Sequence, residues 1–272
     1  MDERLQRRVQ RYGWDKSAAH YEGYWHQQLA PALVRLRELA NCQPGERVLD
    51  VACGTGLVSF PVAEDVGPSG TVFGVDISER MIEIVRAGAA ERGLAHARFD
   101  RMDAEDLRVD DGSYEVALCS LGLMYVPNPR QALLEMHRAL APGARAVVSV
   151  WGQRDRCGWA EIFPIVDARV ASEVCPMFYR LGGGEALARE MEAAGFTHVT
   201  TERIETRLMY ASPEDACGAA FDGGPVALAY SRFDEQVKSE VRAEYLASID
   251  AFRDGDGYAV PGEFVIGVGR KH

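Results

Sequence analysis

The feature that most constrains this chain is the run Val48-Leu49-Asp50-Val51-Ala52-Cys53-Gly54-Thr55-Gly56. Its short apolar start reads as a buried strand over 47–51, which passes through a glycine-rich turn into a helix over 57–63. Glycine permits φ > 0 and close approach of backbone to a ligand. A helix N-terminus adds unpaired N–H groups for a polar or anionic ligand part. A unit of this kind fits a nucleotide-type ligand at the switch point of a doubly wound sheet.

The pattern around it repeats. Strands are expected at 71–75, 97–99, 114–119 and 144–150, separated by turns at Pro68-Ser69-Gly70 and Pro142-Gly143. Helices are expected after Ser78, which can cap one, and over 129–140. Repeated β-α units imply a parallel sheet with helices on both faces, its strand C-termini along one edge. Upstream, residues 5–40 read as helical with interruptions near Gly13 and Gly23. That stretch is rich in aromatics (Tyr12, Trp14, Tyr21, Tyr24, Trp25), and Pro31 opens an amphipathic segment through Leu33, Leu36 and Leu39. The second half is less regular, with helices expected over 161–170, 185–194 and 233–252 and strands over 198–204 and 263–269. Val237, Val241, Tyr245 and Ile249 recur at helical spacing and are read as core.

The formal net charge of −11 argues against nucleic acid as a partner, because phosphate binding rests on basic surface. The one basic cluster, Arg4, Arg7, Arg8 and Arg11, falls on one side of a helix and reads as a solvated face. No apolar run is long enough to cross a bilayer, and Met1-Asp2-Glu3-Arg4 lacks a signal-peptide core, so a cytoplasmic protein is expected, with no membrane insertion. The six cysteines, Cys42, Cys53, Cys119, Cys157, Cys175 and Cys217, contain no C-x-x-C pair. Buried reduced thiols are expected, and no metal site.

Two acids narrow the ligand. Asp50, at the strand end before the turn, would repel a pyrophosphate but suits a ligand carrying an ammonium group. The third position of a G-x-G-x-x-G fingerprint is Ser59, which weakens a dinucleotide reading. Asp76, near the end of the second strand, can accept hydrogen bonds from both hydroxyls of a ribose. At this point the chain resembles the class I S-adenosylmethionine (SAM)-dependent methyltransferases, particularly the bacterial group that includes the ubiquinone and menaquinone C-methyltransferases. Asp50 to Gly56 resembles the family's D-x-x-x-G-x-G motif and Val75-Asp76-Ile77-Ser78 its ribose motif. Met102-Asp103-Ala104-Glu105-Asp106-Leu107, Cys119-Ser120-Leu121 and Leu140-Ala141-Pro142-Gly143 follow in the family's order.

The resemblance implies SAM as cofactor. It implies a doubly wound, Rossmann-like, seven-stranded α/β sheet with an antiparallel last strand and helical cap segments. By the same resemblance the cofactor-binding residues would be Tyr21, Asp50, Ala52, Gly54, Thr55, Gly56, Asp76, Ile77, Met81, Asp103, Ala104 and Ser120. Met81 would pack on the adenine, Asp103 would accept its amino group and Ser120 would lie beside the sulfonium. Candidate general bases are Tyr125, His20 and His26. The whole of 1–272 is expected to form one methyltransferase domain: an N-terminal helical lid (1–46), a SAM-binding core (47–151), cap segments (152–196 and 207–262) and two last strands (197–206 and 263–270).

The chain departs from the ubiquinone-type pattern. Gly122-Leu123-Met124-Tyr125-Val126-Pro127 stands where that group often carries histidines, which argues against a quinone acceptor. No N/D-P-P-Y motif and no acidic cluster of the metal-dependent catechol-type enzymes is present. The expected reaction is in-line methyl transfer to a small, partly hydrophobic molecule, driven mainly by proximity and desolvation. Trp159, Phe163, Met177, Phe178, Tyr179, Phe221 and Tyr230 give the caps an apolar character suited to such an acceptor. The alternatives are a SAM-binding protein without methyl transfer, an NAD-dependent oxidoreductase, and an arsenite methyltransferase, for which Cys157 and Cys175 lack a recognised spacing. The oligomeric state is not legible.

Overall fold

The computed structural model describes residues 3–170 and 177–272. Its strands are β1 (Arg47–Val51), β2 (Thr71–Asp76), β3 (Ala97–Arg101), β4 (Tyr114–Ser120), β5 (Leu140–Trp151), β6 (Thr197–Tyr210), β7 (Arg253–Asp254) and β8 (Gly257–Arg270). They form one sheet of order β3-β2-β1-β4-β5-β8-β6, with β7 paired onto β8. The first five strands of that order pair in parallel, and β8 runs antiparallel to both β5 and β6. The fold is the expected Rossmann-like α/β sheet with an antiparallel last strand. Among the described residues the strands number eight rather than seven. The extra one, β7, is two charged residues long, so no apolar alternation announces it.

The helices are α1 (Glu3–Ala40), α2 (Ser59–Val66), α3 (Glu79–Glu91), α4 (Pro129–Ala139), α5 (Ile162–Asp167), α6 (Ala186–Ala193), α7 (Pro213–Cys217), α8 (Ala227–Tyr230) and α9 (Glu235–Ser248). Apolar side chains cover both faces of the parallel strands, as a doubly wound sheet requires. Val48, Val72, Val116 and Val147 pack with Val62, Ala63 and Val66 of α2 and with Leu36 and Ala40 of α1. Leu49, Val75, Ala117 and Val148 belong to the larger cluster, which includes Leu133 and Met136 of α4. Burying each of the valine, leucine and methionine side chains stabilises by roughly 1.5–3 kcal/mol.

Several boundaries differ from expectation for identifiable reasons. α1 is one 38-residue helix, with Gly13, Gly23 and Pro31 all inside it. An interior glycine costs about 1 kcal/mol relative to alanine, and tertiary contacts along the helix offset this. The Gln28 side chain pairs with both backbone groups of Met209 on the edge strand β6, donating at 2.5 Å and accepting at 2.8 Å. Arg145 donates to the carbonyls of Ala40 and Asn41 at the helix C-terminus, where a cation is favoured.

β6 and β8 are each 14 residues long, well beyond the spans expected from sequence. The N-terminal part of β6 alternates exposed and half-buried residues and carries Glu202, Arg203, Glu205 and Arg207. Charges of this kind protect an edge strand and erase its apolar signal. α5 stops at Asp167, and α9 is shorter than the 233–252 expected because the Asp234 side chain caps it, accepting from the Val237 N–H at 2.9 Å.

Candidate functional site

The C-terminal ends of β1 and β4 lie side by side where the strand order reverses. Each strand runs directly into a non-glycine residue with left-handed backbone, Ala52 (φ 59°) after β1 and Leu121 (φ 56°) after β4. Such conformations cost of order 1–3 kcal/mol each and gather at functional sites. The two turns touch: a Cβ placed on Gly122 would lie 2.3 Å from the Ala52 Cβ. The absent side chain of Gly122 is what lets them meet.

Adjoining chambers open here. The largest of the three is lined among others by Gly54, Asp76, Ile77, Met81, Asp103 and Ala104. A second is lined by Asp50, Ala52, Thr55 and Ser120. A third is narrow and aromatic and includes Trp14, Trp25, Trp151 and Trp159. Tyr21 and Leu121 border all three, so they mark the junction.

The acids differ in how they are satisfied. In the second chamber, Asp50 is buried, with one carboxylate oxygen accepting from the Ser59 hydroxyl at 2.5 Å and the other meeting no partner. Burial lifts its carboxyl to about 7, and nearby Asp76 adds to the rise against the Ser59 bond. Thr55 is also buried and its hydroxyl has no partner. Unpaired buried polar atoms are rare and call for an explanation. Asp76, at the end of β2, accepts from the N–H of Gly54 (3.0 Å) and of Ser78 (2.9 Å). Burial raises it to about 6 despite those bonds. Ser78 caps α3 as expected, accepting from the Met81 N–H at 3.2 Å. Ser120 meets Ser149 hydroxyl to hydroxyl at 3.2 Å.

Asp103 is tied to α1: Arg7 Nε lies 3.2 Å from its carboxylate and also pairs with Glu105. Arg7 is thus an ion-pairing residue over the large chamber rather than part of a solvated face. Asp15 fastens the same helix to the start of α3, accepting from the Ser78 hydroxyl at 2.7 Å. Local sequence patterns carry no signal for either pair, since the partners are 63 or more residues apart in the chain.

The structure does not bring every candidate together. His20 and His26 are exposed and line none of these chambers, because their positions on α1 face away from the sheet. Gly56 also lies outside them; its φ of 94° and a Cβ that would sit 2.7 Å from Phe60 and Val85 mean that both the turn and the helix packing require this glycine. Tyr125 does stand on the wall shared by the large and aromatic chambers. Of the cap aromatics named from sequence, only Trp159 lines the aromatic chamber. Phe163, Phe178 and Tyr179 pack behind it, Phe221 stacks on Tyr230 at 4.7 Å, and Met177 is exposed. Cys42, Cys53, Cys119, Cys157 and Cys217 are free thiols, Cys175 lies outside the described residues, and no metal-binding group occurs among the described residues. Likewise, no helix among them is long and apolar enough to cross a membrane.

Comparison with known proteins agrees with this geometry. Residues 43–168 match a family model described as a methyltransferase domain. The chain is 29% identical over 258 residues to nocamycin O-methyltransferase of Saccharothrix syringae, covering 89% of this chain and 91% of that protein. It is 36% identical over 126 residues to demethylmenaquinone methyltransferase of Listeria monocytogenes, covering 46% of this chain and only about half (53%) of that relative. The phosphoethanolamine N-methyltransferase 2 of Haemonchus contortus, solved with SAM, has the same fold at a TM-score of 0.61 and 15% identity, over 95% of this chain and 57% of its own. Residues 43–168, which form the crevice between these turns, are thus a methyltransferase domain, in a chain similar almost end to end to a methyltransferase and folded as the class I SAM-dependent enzymes are.

Proposed function

We propose that the enzyme methylates a small, partly hydrophobic molecule held in the aromatic chamber, with SAM lying across the other two. The observation that carries this reading is the pair of unpartnered buried atoms in the second chamber, a carboxylate oxygen of Asp50 and the hydroxyl of Thr55. An acceptor and a donor without partners fit the ammonium and carboxylate of an amino-acid tail. Asp76 would take the ribose hydroxyls, with Gly54 and Ile77 beside it. Met81 would pack on the adenine, and Asp103 and Ala104 would recognise its edge. Ala52 and Ser120 border both cofactor chambers and would flank the sulfur.

When bound, the sulfonium supplies the methyl group. The chain's own part is alignment and exclusion of water. α1 lies across the crevice, fastened by Arg7 and Asp15, and Tyr21 closes the junction. Tyr125 is proposed to orient the acceptor from the shared wall. The name of the Saccharothrix relative supports oxygen as the accepting atom. The net charge of −11 supports a partner other than nucleic acid. Free thiols at five positions support work in a reducing compartment, the cytoplasm. We further propose that lid, core and caps act as one domain.

Calorimetric titration tests the site. SAM should bind and NADH should not, and Asp76→Ala should weaken SAM by about 2–3 kcal/mol, roughly 30- to 160-fold, through two lost charge-assisted hydrogen bonds. Unchanged SAM affinity in a folded Asp76→Ala protein would remove this residue from the site. NADH binding in place of SAM would defeat the whole reading.

A further inference from the structure

All four tryptophans of the chain line the aromatic chamber, although they come from α1, the end of β5 and the segment that follows it. Trp151 and Trp159 meet edge to face at 4.9 Å, Trp25 approaches both at 6.2 Å, and Trp14 meets Tyr125 at 4.9 Å. Walls of this kind accept the face or edge of a flat ring. The indole N–H of Trp25 is used within the protein, donating to the Gly223 carbonyl at 3.0 Å. That of Trp159 is buried and has no partner.

What the chamber lacks is equally specific: among the described residues no aspartate, glutamate, histidine, lysine, arginine or cysteine lines it. The described ionisable groups around it are engaged elsewhere or are phenols. Tyr21 and Tyr125 are phenols, and burial with the charge of Asp76 holds Tyr21 protonated. Asp76, Asp103 and Arg7 line the large chamber and Asp50 the second. Tyr179 packs against Trp159. Glu263 is ion-paired with Arg203 at 2.7 Å. His20 and His26 are exposed.

An acceptor that must lose a proton therefore finds no carboxylate or imidazole base among the described residues that line the chamber. An amine is protonated at neutral pH and would meet the sulfonium as a like charge, whereas an oxyanion would meet it as an opposite one. Resting on the methyl-transfer reading above, we propose that the acceptor is a flat apolar molecule whose accepting oxygen ionises unaided, such as an enol or an electron-poor phenol on a conjugated ring. Trp159 determines specificity by donating its N–H to an oxygen of that ring system. The acceptor's proton leaves to water before the oxygen is enclosed. An oxygen lone pair forms the new C–O bond, the C–S bond breaks, and its electron pair stays on sulfur, giving the O-methyl product and S-adenosylhomocysteine.

The test uses 4-nitrophenol as probe and tryptophan quenching as readout. The wild-type protein is saturated with sinefungin, which carries an ammonium where SAM carries its sulfonium, or with uncharged-sulfur S-adenosylhomocysteine. Quenching should saturate. Affinity in the sinefungin complex should rise at least roughly tenfold as pH carries the probe through its own ionisation, with a much smaller rise in the other complex. By calorimetry, Trp159→Phe should weaken the probe about tenfold and leave sinefungin affinity unchanged. Absence of saturable quenching, affinity indifferent to the probe's ionisation, or tighter binding of benzylamine would overturn the proposal. Failure of sinefungin itself to bind would overturn the underlying methyl-transfer reading as well.

Discussion

Asp50→Asn should separate what this carboxylate does for binding from what it does to stability. Burial raises the carboxyl from its ordinary 3.8 to about 7. Above pH 4 the unfolded chain has released this proton, whereas the folded chain keeps it until about pH 7. The folded state therefore binds more protons across that window, and stability falls as pH rises through it. A shift of about three units corresponds to about 4 kcal/mol at most. Between about pH 5 and about pH 8 the wild type should lose about 2–3 kcal/mol relative to the variant, which has no proton to lose. Asp76 titrates in both proteins, so its contribution largely cancels in the difference. Thermal unfolding at the two pH values, without ligand, reads the effect as a Tm difference that changes by about 5–10 °C. The absolute Tm of the variant matters less, since the new amide donor must find its own partner. SAM binding near pH 6 should release a proton from the wild type and none from this position in the variant, as measured by calorimetry in buffers of different ionisation enthalpy. Parallel Tm–pH curves for the two proteins would show that Asp50 is not a proton-holding buried acid and would refute the burial argument made for it.

Two further outcomes follow from close contacts. Gly122→Ala should lower Tm by about 3–10 °C, because the new methyl lands on the Ala52 side chain; Ala52→Gly in the same protein should recover most of the loss, and failure to recover it would show that the two turns do not touch. Trp25→Phe removes the N–H that holds the Gly223 carbonyl, at a cost of about 1–2 kcal/mol. Because Gly224 and Pro225 line the aromatic chamber, it should raise the acceptor's KM while SAM affinity, read by calorimetry, stays unchanged. A loss confined to SAM binding would contradict that division.

The parts of the site that were legible in the sequence are those controlled by short stretches of chain. Asp50 stands where an apolar strand meets a glycine turn, Asp76 two residues before the helix cap Ser78, and Asp103 just beyond β3. Gly56 was legible as a glycine the turn requires, and its φ of 94° agrees; the close approach of Phe60 and Val85 adds a packing reason that no local pattern shows. The histidines were named for their chemistry alone. Which side of a helix a residue faces depends on what the helix packs against, and the weak apolar periodicity of α1 left that open. β6 hid for a related reason: its charged, half-exposed residues satisfy an edge strand without producing an apolar run.

By itself, then, the sequence determined the order of the β-α units and the acids at the strand ends, because covalent geometry over a few residues decides where a strand stops and its side chains emerge. Tertiary structure alone decided that α1 is continuous, that Arg7 meets Asp103, and that tryptophans from three segments line one chamber with no acid or histidine among its described residues. The contacts of Arg7 with Asp103 and of Trp25 with Trp151 join residues many tens of positions apart. They are selected by burial of the whole core, whose close packing depends on every element at once rather than on any local pattern.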